Sequence, residues 1–298
     1  MMNAQAGILQ PIPTQGCHLF FSLTQAAALP TALYHLAALV DGDGVVAALG
    51  PAAVAALGAS VPGLRDMPDL SRTDVIVPLS PAALWCWLRG SDRGDLVNLT
   101  RRLEQAVSPA LHLSHAVEVF RHSQGPNGHG RDLTGYEDGT ENPQGEAAQA
   151  AALVQDAGAG LDGASFVAVQ QWQHDFEAFD ALGEVEQDQA VGRRRSDNEE
   201  LDDAPPSAHV KRTAQESFVP EAFVLRRSMP WTLGRQAGLM FVAFGGSLDA
   251  FEAQMRRMVG HEDGILDAIF QFSKPLNGAY FWCPPLRDGR LDLRQLGL

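Results

Sequence analysis

Two stretches of this chain repeat one pattern, and the repetition narrows the possible folds more than any other feature. Leu84-Trp85-Cys86-Trp87-Leu88-Arg89-Gly90-Ser91 is an apolar run that leads into a helix, and Met240-Phe241-Val242-Ala243-Phe244-Gly245-Gly246-Ser247 does the same in the second half. Each sits in a similar succession of elements. In the first half, strands are predicted over Gly16 to Leu23, Val45 to Leu49, Asp74 to Leu79, Ala83 to Leu88 and Ala116 to Phe120, with helices over Thr31 to Val40 and Asp95 to Val107. Trp85 and Trp87 share a face at period two, while Leu96, Leu99, Leu103 and Val107 form one helical stripe. The second half gives strands over Ser165 to Trp172, Ala222 to Arg226, Leu239 to Phe244 and Gly278 to Trp282, and helices over His174 to Leu182 and Leu248 to Val259. This order predicts an α+β chain, a duplicated ferredoxin-like fold of antiparallel sheets flanked by helices. The Ala-rich helix from Glu146 to Val154 connects the halves, which are set at 1–145 and 146–298.

A length of 298 residues with 45% hydrophobic content is ample for two such units. The net charge of −14 argues against nucleic acid or an anionic membrane as partner. Cys17, Cys86 and Cys283 are far apart and form no CxxC pair, so they read as buried thiols in a reducing compartment. Met1 to Thr14 has no basic segment followed by an apolar one, and no later run approaches a membrane span, which predicts a soluble cytoplasmic protein. The polar stretch from Val185 to Pro206 is either a disordered loop or a cover over a ligand.

Three places carry side chains suited to chemistry. The loop Gly135-Tyr136-Glu137-Asp138-Gly139-Thr140-Glu141-Asn142-Pro143 has glycines around a carboxylate and a closing Asn-Pro, which hold Asp138 at a sharp bend outside any helix. His209 emerges from the proline-stiffened Pro205-Pro206-Ser207-Ala208 at what reads as a strand or helix start. On an extended Leu225-Arg226-Arg227-Ser228-Met229-Pro230, Arg226 and Ser228 share a face and Arg227 takes the other, so one arginine can turn inward while its neighbour faces solvent. An inward arginine needs an anion, and Asp138 is a candidate. The other histidines have plainer readings. His112 and His115 lie on opposite strand faces, His122 and His129 flank a Gly/Pro loop, and His174 precedes a helix start where a capping or surface role is expected.

Taken in order, the Asp138 loop, Val191-Gly192-Arg193, Ser207-Ala208-His209-Val210-Lys211-Arg212 and Leu225-Arg226-Arg227-Ser228-Met229-Pro230 resemble the dye-decolourising haem peroxidases, most closely the bacterial B-type branch. The resemblance spans most of the chain and extends to Lys274-Pro275-Leu276-Asn277-Gly278-Ala279-Tyr280. It implies one haem b per chain, held mainly by the second half. His209 would be the axial iron ligand, and Asp138 and Arg226 the catalytic pair on the opposite face. Ser228 would stand beside them where related members often carry Asn. Gly139 and Arg193 would contact the cofactor, Arg193 at a propionate, and Asp267, in preference to Asp263 or Glu262, would orient His209. The implied reaction reduces hydrogen peroxide through a ferryl state and oxidises bulky phenolic or dye-like donors one electron at a time. Trp172, Trp231, Tyr136 and Tyr280 would be possible relays, and the Arg193-Arg194-Arg195 patch could attract anionic dyes. A homo-oligomer, dimer or larger, is expected, and the short Leu291 to Leu298 terminus shows no extended tail for docking into a larger assembly. A haem-storing, haem-delivering or iron-releasing protein with incidental peroxidase turnover is the alternative reading. Simple haem carriage would need neither Asp138 nor Arg226.

Overall fold

The computed structural model describes residues 3–298. The first half runs β1 (Gln15–Leu23), α1 (Leu29–Ala37), β2 (Val45–Leu49), α2 (Pro51–Ala56), β3 (Leu84–Gly90), α3 (Arg93–Val107) and β4 (Leu111–Phe120). After a long loop, α4 (Gly145–Ala152) leads to the second half. There follow β5 (Ser165–His174), α5 (Phe176–Ala181), α6 (Glu184–Val191), α7 (His209–Arg212), β6 (Leu225–Arg226), β7 (Met229–Leu233), β8 (Gln236–Gly245), α8 (Asp249–Met258), β9 (Ser273–Pro275) and β10 (Ala279–Cys283).

The sheet order is β4-β1-β3-β2 in the first half and β7-β8-β5-β10 in the second, each an antiparallel ferredoxin-like sheet. The two sheets join at both edges, by Val119 opposite Trp231 and by Leu49 opposite Trp282, so eight strands close into a barrel. Closure explains why the strands read as nearly continuous apolar runs. In β1, His18 and Phe20 point into the barrel with Trp85, Trp87, Val242, Phe244 and Phe281, while Leu19 and Phe21 point out against the helices. Each large apolar side chain so enclosed is worth roughly 1.5–3 kcal/mol. Helix α3 is capped by Asp92, whose Oδ1 accepts the Asp95 N–H at 2.9 Å, and it buries Leu96, Leu103 and Val107. The three cysteines are free and buried. Among the described residues no helix is long and apolar enough to cross a membrane.

Two strand expectations change. Residues 74–79 are not a strand. Val75 and Val77 are buried, but the segment has only an isolated bridge to Arg72; Val77 N–H goes to Ser71 Oγ, Ser80 N–H goes to the Gly278 carbonyl, and Pro78 has no N–H to give. The strand expected over 222–226 shortens to Leu225–Arg226 because Gln215 takes the N–H groups of Ala222 and Val224. The polar stretch from 185 to 206 is ordered cover rather than loose loop. It opens in α6, its Gln187, Ala190 and Asn198 are buried, and Arg193, Arg194 and Arg195 each reach an acidic partner. That pairing cancels the basic patch read from the sequence.

Candidate functional site

The loop between β4 and α4 is folded by its own backbone before any ligand is considered. Asp132 N–H donates to the Tyr136 carbonyl (2.8 Å), Gly135 N–H to Asp132 (2.9 Å) and Asp138 N–H to Gly130 (2.8 Å). Gly135 and Gly139 take φ of +92° and +84°, conformations that side chains disfavour, and these turns aim Asp138 at the second half. There Arg226 Nη2 lies 3.4 Å from Asp138 Oδ1. Ser228 is buried beside Arg226, with its Oγ 3.5 Å from the Val242 N–H. Gly139 lines the outer vestibule with Asp138, Arg226 and Ser228.

His209 begins the single-turn α7, and its Nδ1 is 2.8 Å from Oδ2 of Asp267, a fully buried carboxylate. Asp267 is itself fixed. Its Oδ1 accepts the Ile269 N–H at 2.9 Å, and its own N–H donates to the Met258 carbonyl at 2.8 Å. An ionised carboxylate there assigns the proton to Nδ1 and leaves the Nε2 lone pair free. Asp263 and Glu262 are engaged elsewhere, on Arg212 and Arg257. The hydrogen bonds from Arg212 hold the Asp263 carboxyl down at about 2, against the opposing effect of burial.

Asp138, His209 and Arg226 line one inner cleft. Trp172, Leu239, Phe241, Phe251, Met255 and Ile269 give it apolar walls, interrupted by the polar Gln170, His174, Thr213, Gln254 and Ser273. Strand parity builds them. Gln170, Trp172 and His174 alternate along β5, and Leu239 and Phe241 alternate along β8, on the face opposite the barrel interior. Two polar atoms at this cleft, Arg226 Nε and Gln170 Nε2, are buried without a hydrogen-bond partner.

Several sequence expectations land differently. Arg193 lines an outer cavity with Asp138, His209 and Arg226, yet its guanidinium is committed to Glu141, to Glu200 at 3.4 Å and to the Asn198 carbonyl at 2.9 Å. Arg227 is half-buried instead of facing solvent. It donates to the carbonyls of Ile8 and Leu9, and burial, with the Arg89 charge nearby, pushes its guanidinium down to about 10. His174 ends β5 and does not cap a helix; Asp175 does that, accepting the Ala178 N–H at 3.0 Å. The four relay candidates are all buried, Trp172 in the cleft wall and Trp231 against it through an indole bond to the Trp172 carbonyl (2.9 Å).

His174 is the residue at the cleft that sequence reasoning missed. Its Nδ1 is 2.8 Å from Ser273 Oγ and its Nε2 is 3.1 Å from Asp132 Oδ1, so a buried Ser-His-Asp row runs from the inner cleft toward the vestibule. Burial raises the Asp132 carboxyl, but the hydrogen bond and charge of His174 and the bonds from Thr134 outweigh it and leave the group below its ordinary range. Extending the period-two reading of β5 two residues past Trp172 would have found His174.

Residues 129–288 match the family model described as Dyp-type peroxidase, C-terminal. A dye-decolorizing peroxidase of Mycolicibacterium paratuberculosis is 30% identical over 213 residues, covering 70% of this chain; the chain spans 59% of that relative's length. Among solved structures, a Dyp-type peroxidase protein from Shewanella oneidensis superposes with a TM-score of 0.87 at 25% identity, covering 99% of this chain and 98% of its own. A variant of DypB from Rhodococcus jostii in complex with haem gives 0.85 at 25% identity, covering 96% and 97%.

Proposed function

We propose that this chain, which belongs to the Dyp-type peroxidase family, is a haem b peroxidase that reduces hydrogen peroxide with electrons from bulky phenolic or dye-like donors. The observation that carries this is the joint lining of one cleft by His209, tied to Asp267, and by the Asp138–Arg226 pair.

The residues suit a haem. Aromatic and aliphatic side chains on the cleft walls suit contact with a macrocycle, His209 Nε2 is uncommitted, and the unpartnered Arg226 Nε and Gln170 Nε2 point to polar partners that the chain itself does not supply. His209 would hold the iron through Nε2, and Asp267, by accepting the Nδ1 hydrogen, keeps the imidazole oriented and electron-rich. Bound there, the haem would supply the electrons that break the O–O bond and would be restored by the donor.

The chain's own groups handle protons and charge. Asp138, as a carboxylate, accepts a proton from one peroxide oxygen and returns it to the other, which leaves as water. Arg226 donates hydrogen bonds to the oxygen on which negative charge gathers, the kind of contact commonly worth about 2.7–4 kcal/mol per donor. The balance is one peroxide and two hydrogen atoms, one from each of two donor molecules, giving two waters and two donor radicals. Both side chains are largely shielded from solvent, which strengthens both effects.

The test is haem reconstitution of the purified protein followed by stopped-flow mixing with peroxide, beside His209→Ala. A Soret band that peroxide shifts within the mixing experiment, and that His209→Ala alters or lacks, is expected. Protein that takes up no haem, or takes it up unchanged without His209, would overturn the reading.

A further inference from the structure

Asp138 and Arg226 come from opposite halves of the molecule, and no β-ladder joins the segments that carry them. Strand β6 has two residues and pairs only with β8. Two amide side chains occupy its other edge. Asn142 Oδ1 accepts the Arg226 N–H at 2.7 Å while Asn142 Nδ2 donates to the Arg226 carbonyl at 3.0 Å, so one side chain holds both backbone groups of Arg226 as a neighbouring strand would. Gln215, itself buried, accepts the Val224 N–H on Oε1 (2.9 Å) and the Ala222 N–H on its carbonyl (2.9 Å). Its Nε2 donates to the Glu141 carbonyl at 2.9 Å. The N–H groups of 222, 224 and 226, which share an edge at period two, are thus all held by Gln215 or Asn142.

The loop is shaped to present Asn142 in this way. Asn142 N–H closes a turn on the Gly139 carbonyl at 3.0 Å, and a Cβ at position 139 would stand 2.9 Å from Asn142 Nδ2, too close for the amide to keep its place. A glycine there leaves the amide free to face Arg226. A carboxylate at 142 would accept from the Arg226 N–H but could not donate to the Arg226 carbonyl.

We infer that Asn142, seconded by Gln215, is a positioning residue that sets Arg226 against Asp138. The inference rests on the role proposed above for that pair. Being neutral, the two amides fix the register without adding charge to the field around Asp138.

The experiment uses haem-loaded protein and four variants: Asn142→Ala, Gln215→Ala, Arg226→Ala and the double Asn142→Ala/Arg226→Ala. It reads the stopped-flow rate with peroxide, the cyanide dissociation constant from the Soret shift, and KM for a bulky donor. Asn142→Ala is expected to slow the peroxide step up to about a hundredfold, the scale of roughly 1 Å of misplacement, and to weaken cyanide binding, with KM unchanged. Gln215→Ala gives the same pattern more weakly. In the Arg226→Ala background, loss of Asn142 adds nothing, because its effect travels through Arg226. Parent rates and cyanide affinity in Asn142→Ala, or an equal slowing of the Arg226→Ala protein, would overturn the inference. Arg226→Ala reacting at the parent rate would instead sink the functional reading beneath it. Should Asn142→Ala fail to take up haem, Gln215→Ala alone and on Arg226→Ala carries the same comparison.

Discussion

Arg226 Nη2 stands 3.4 Å from Asp138 Oδ1 at a junction: both side chains line the outer vestibule, the inner cleft and the cavity beside Arg193. The contact is loose rather than a closed two-point fork, and Arg226 Nε keeps no partner at all. A guanidinium in this state has donors to spare for an incoming oxygen, while the carboxylate stays close enough to exchange a proton with the same molecule.

From that geometry Arg226 should matter more than Asp138 to breaking the O–O bond. Replacing Arg226 by Leu removes donors aimed at developing charge, an effect of about 10²–10³ in rate for one such donor. Asp138→Asn keeps the shape and removes the proton carrier, for which about 10²-fold is the lower end of general acid–base effects. Timing the first peroxide-dependent spectral change in each variant ranks them. A slower Asp138→Asn than Arg226→Leu would reverse the order.

Asp267 offers a test separate from turnover. Asp267→Asn keeps an oxygen near the Ile269 N–H but replaces a charged acceptor at His209 Nδ1 with a neutral amide. Loss of such an outer partner commonly costs about 10- to 100-fold in metal affinity. Haem titration should show a weaker complex with a displaced Soret band; an affinity and spectrum equal to the parent's would remove Asp267 from the orienting role.

The sequence was most legible where a period persisted over many residues. The duplicated strand-helix rhythm gave the two sheets because β1, β3, β5 and β8 bury both faces, and Trp85 and Trp87 fall on one side as their spacing requires. It was least legible where backbone groups bond to side chains. Nothing local at 222–226 reveals that Gln215 takes its N–H groups, and nothing at Arg227 reveals that carbonyls from residues 8 and 9 will cover it. At the site, Asp138, His209 and Arg226 were visible as motif residues. His174 was hidden because its partners Asp132 and Ser273 lie 42 and 99 residues away, a closure only the fold makes.

The Asp132 carboxylate should report on its own surroundings through pH. Its folded pKa is depressed, so its contribution is present above the unfolded carboxylate value of about 3.9 and is lost as pH falls through the lower folded value. Asp132→Ala strips His174 Nε2 and Thr134 Oγ1 of a buried acceptor, at an expected cost of about 1–3 kcal/mol. Urea unfolding of parent and variant should differ fully at pH 7 and converge below about pH 4. A gap that stays constant across that range would mean that the loss is packing alone.

His18 is the strongest acid liability in the barrel. It is fully buried, stacks on Trp85 and Trp87 with ring centroids 5.6 and 5.8 Å away, and has no hydrogen-bond partner for either ring nitrogen. Burial pushes its pKa down to about 3. The unfolded chain, with an ordinary histidine near 6.5, therefore binds a proton that the folded chain refuses through most of that interval. Stability must fall as pH drops from about 6.5 toward the folded value, by about 1.4 kcal/mol per pH unit from this group alone. His18→Phe keeps an aromatic ring between the tryptophans and removes the titrating nitrogens. Its unfolding free energy, measured by urea between pH 6 and pH 4, should decline less steeply than the parent's by about that slope, and its acid midpoint should move lower. Parallel curves for the two proteins would show that His18 is already charged, or already reached by water, inside the folded barrel.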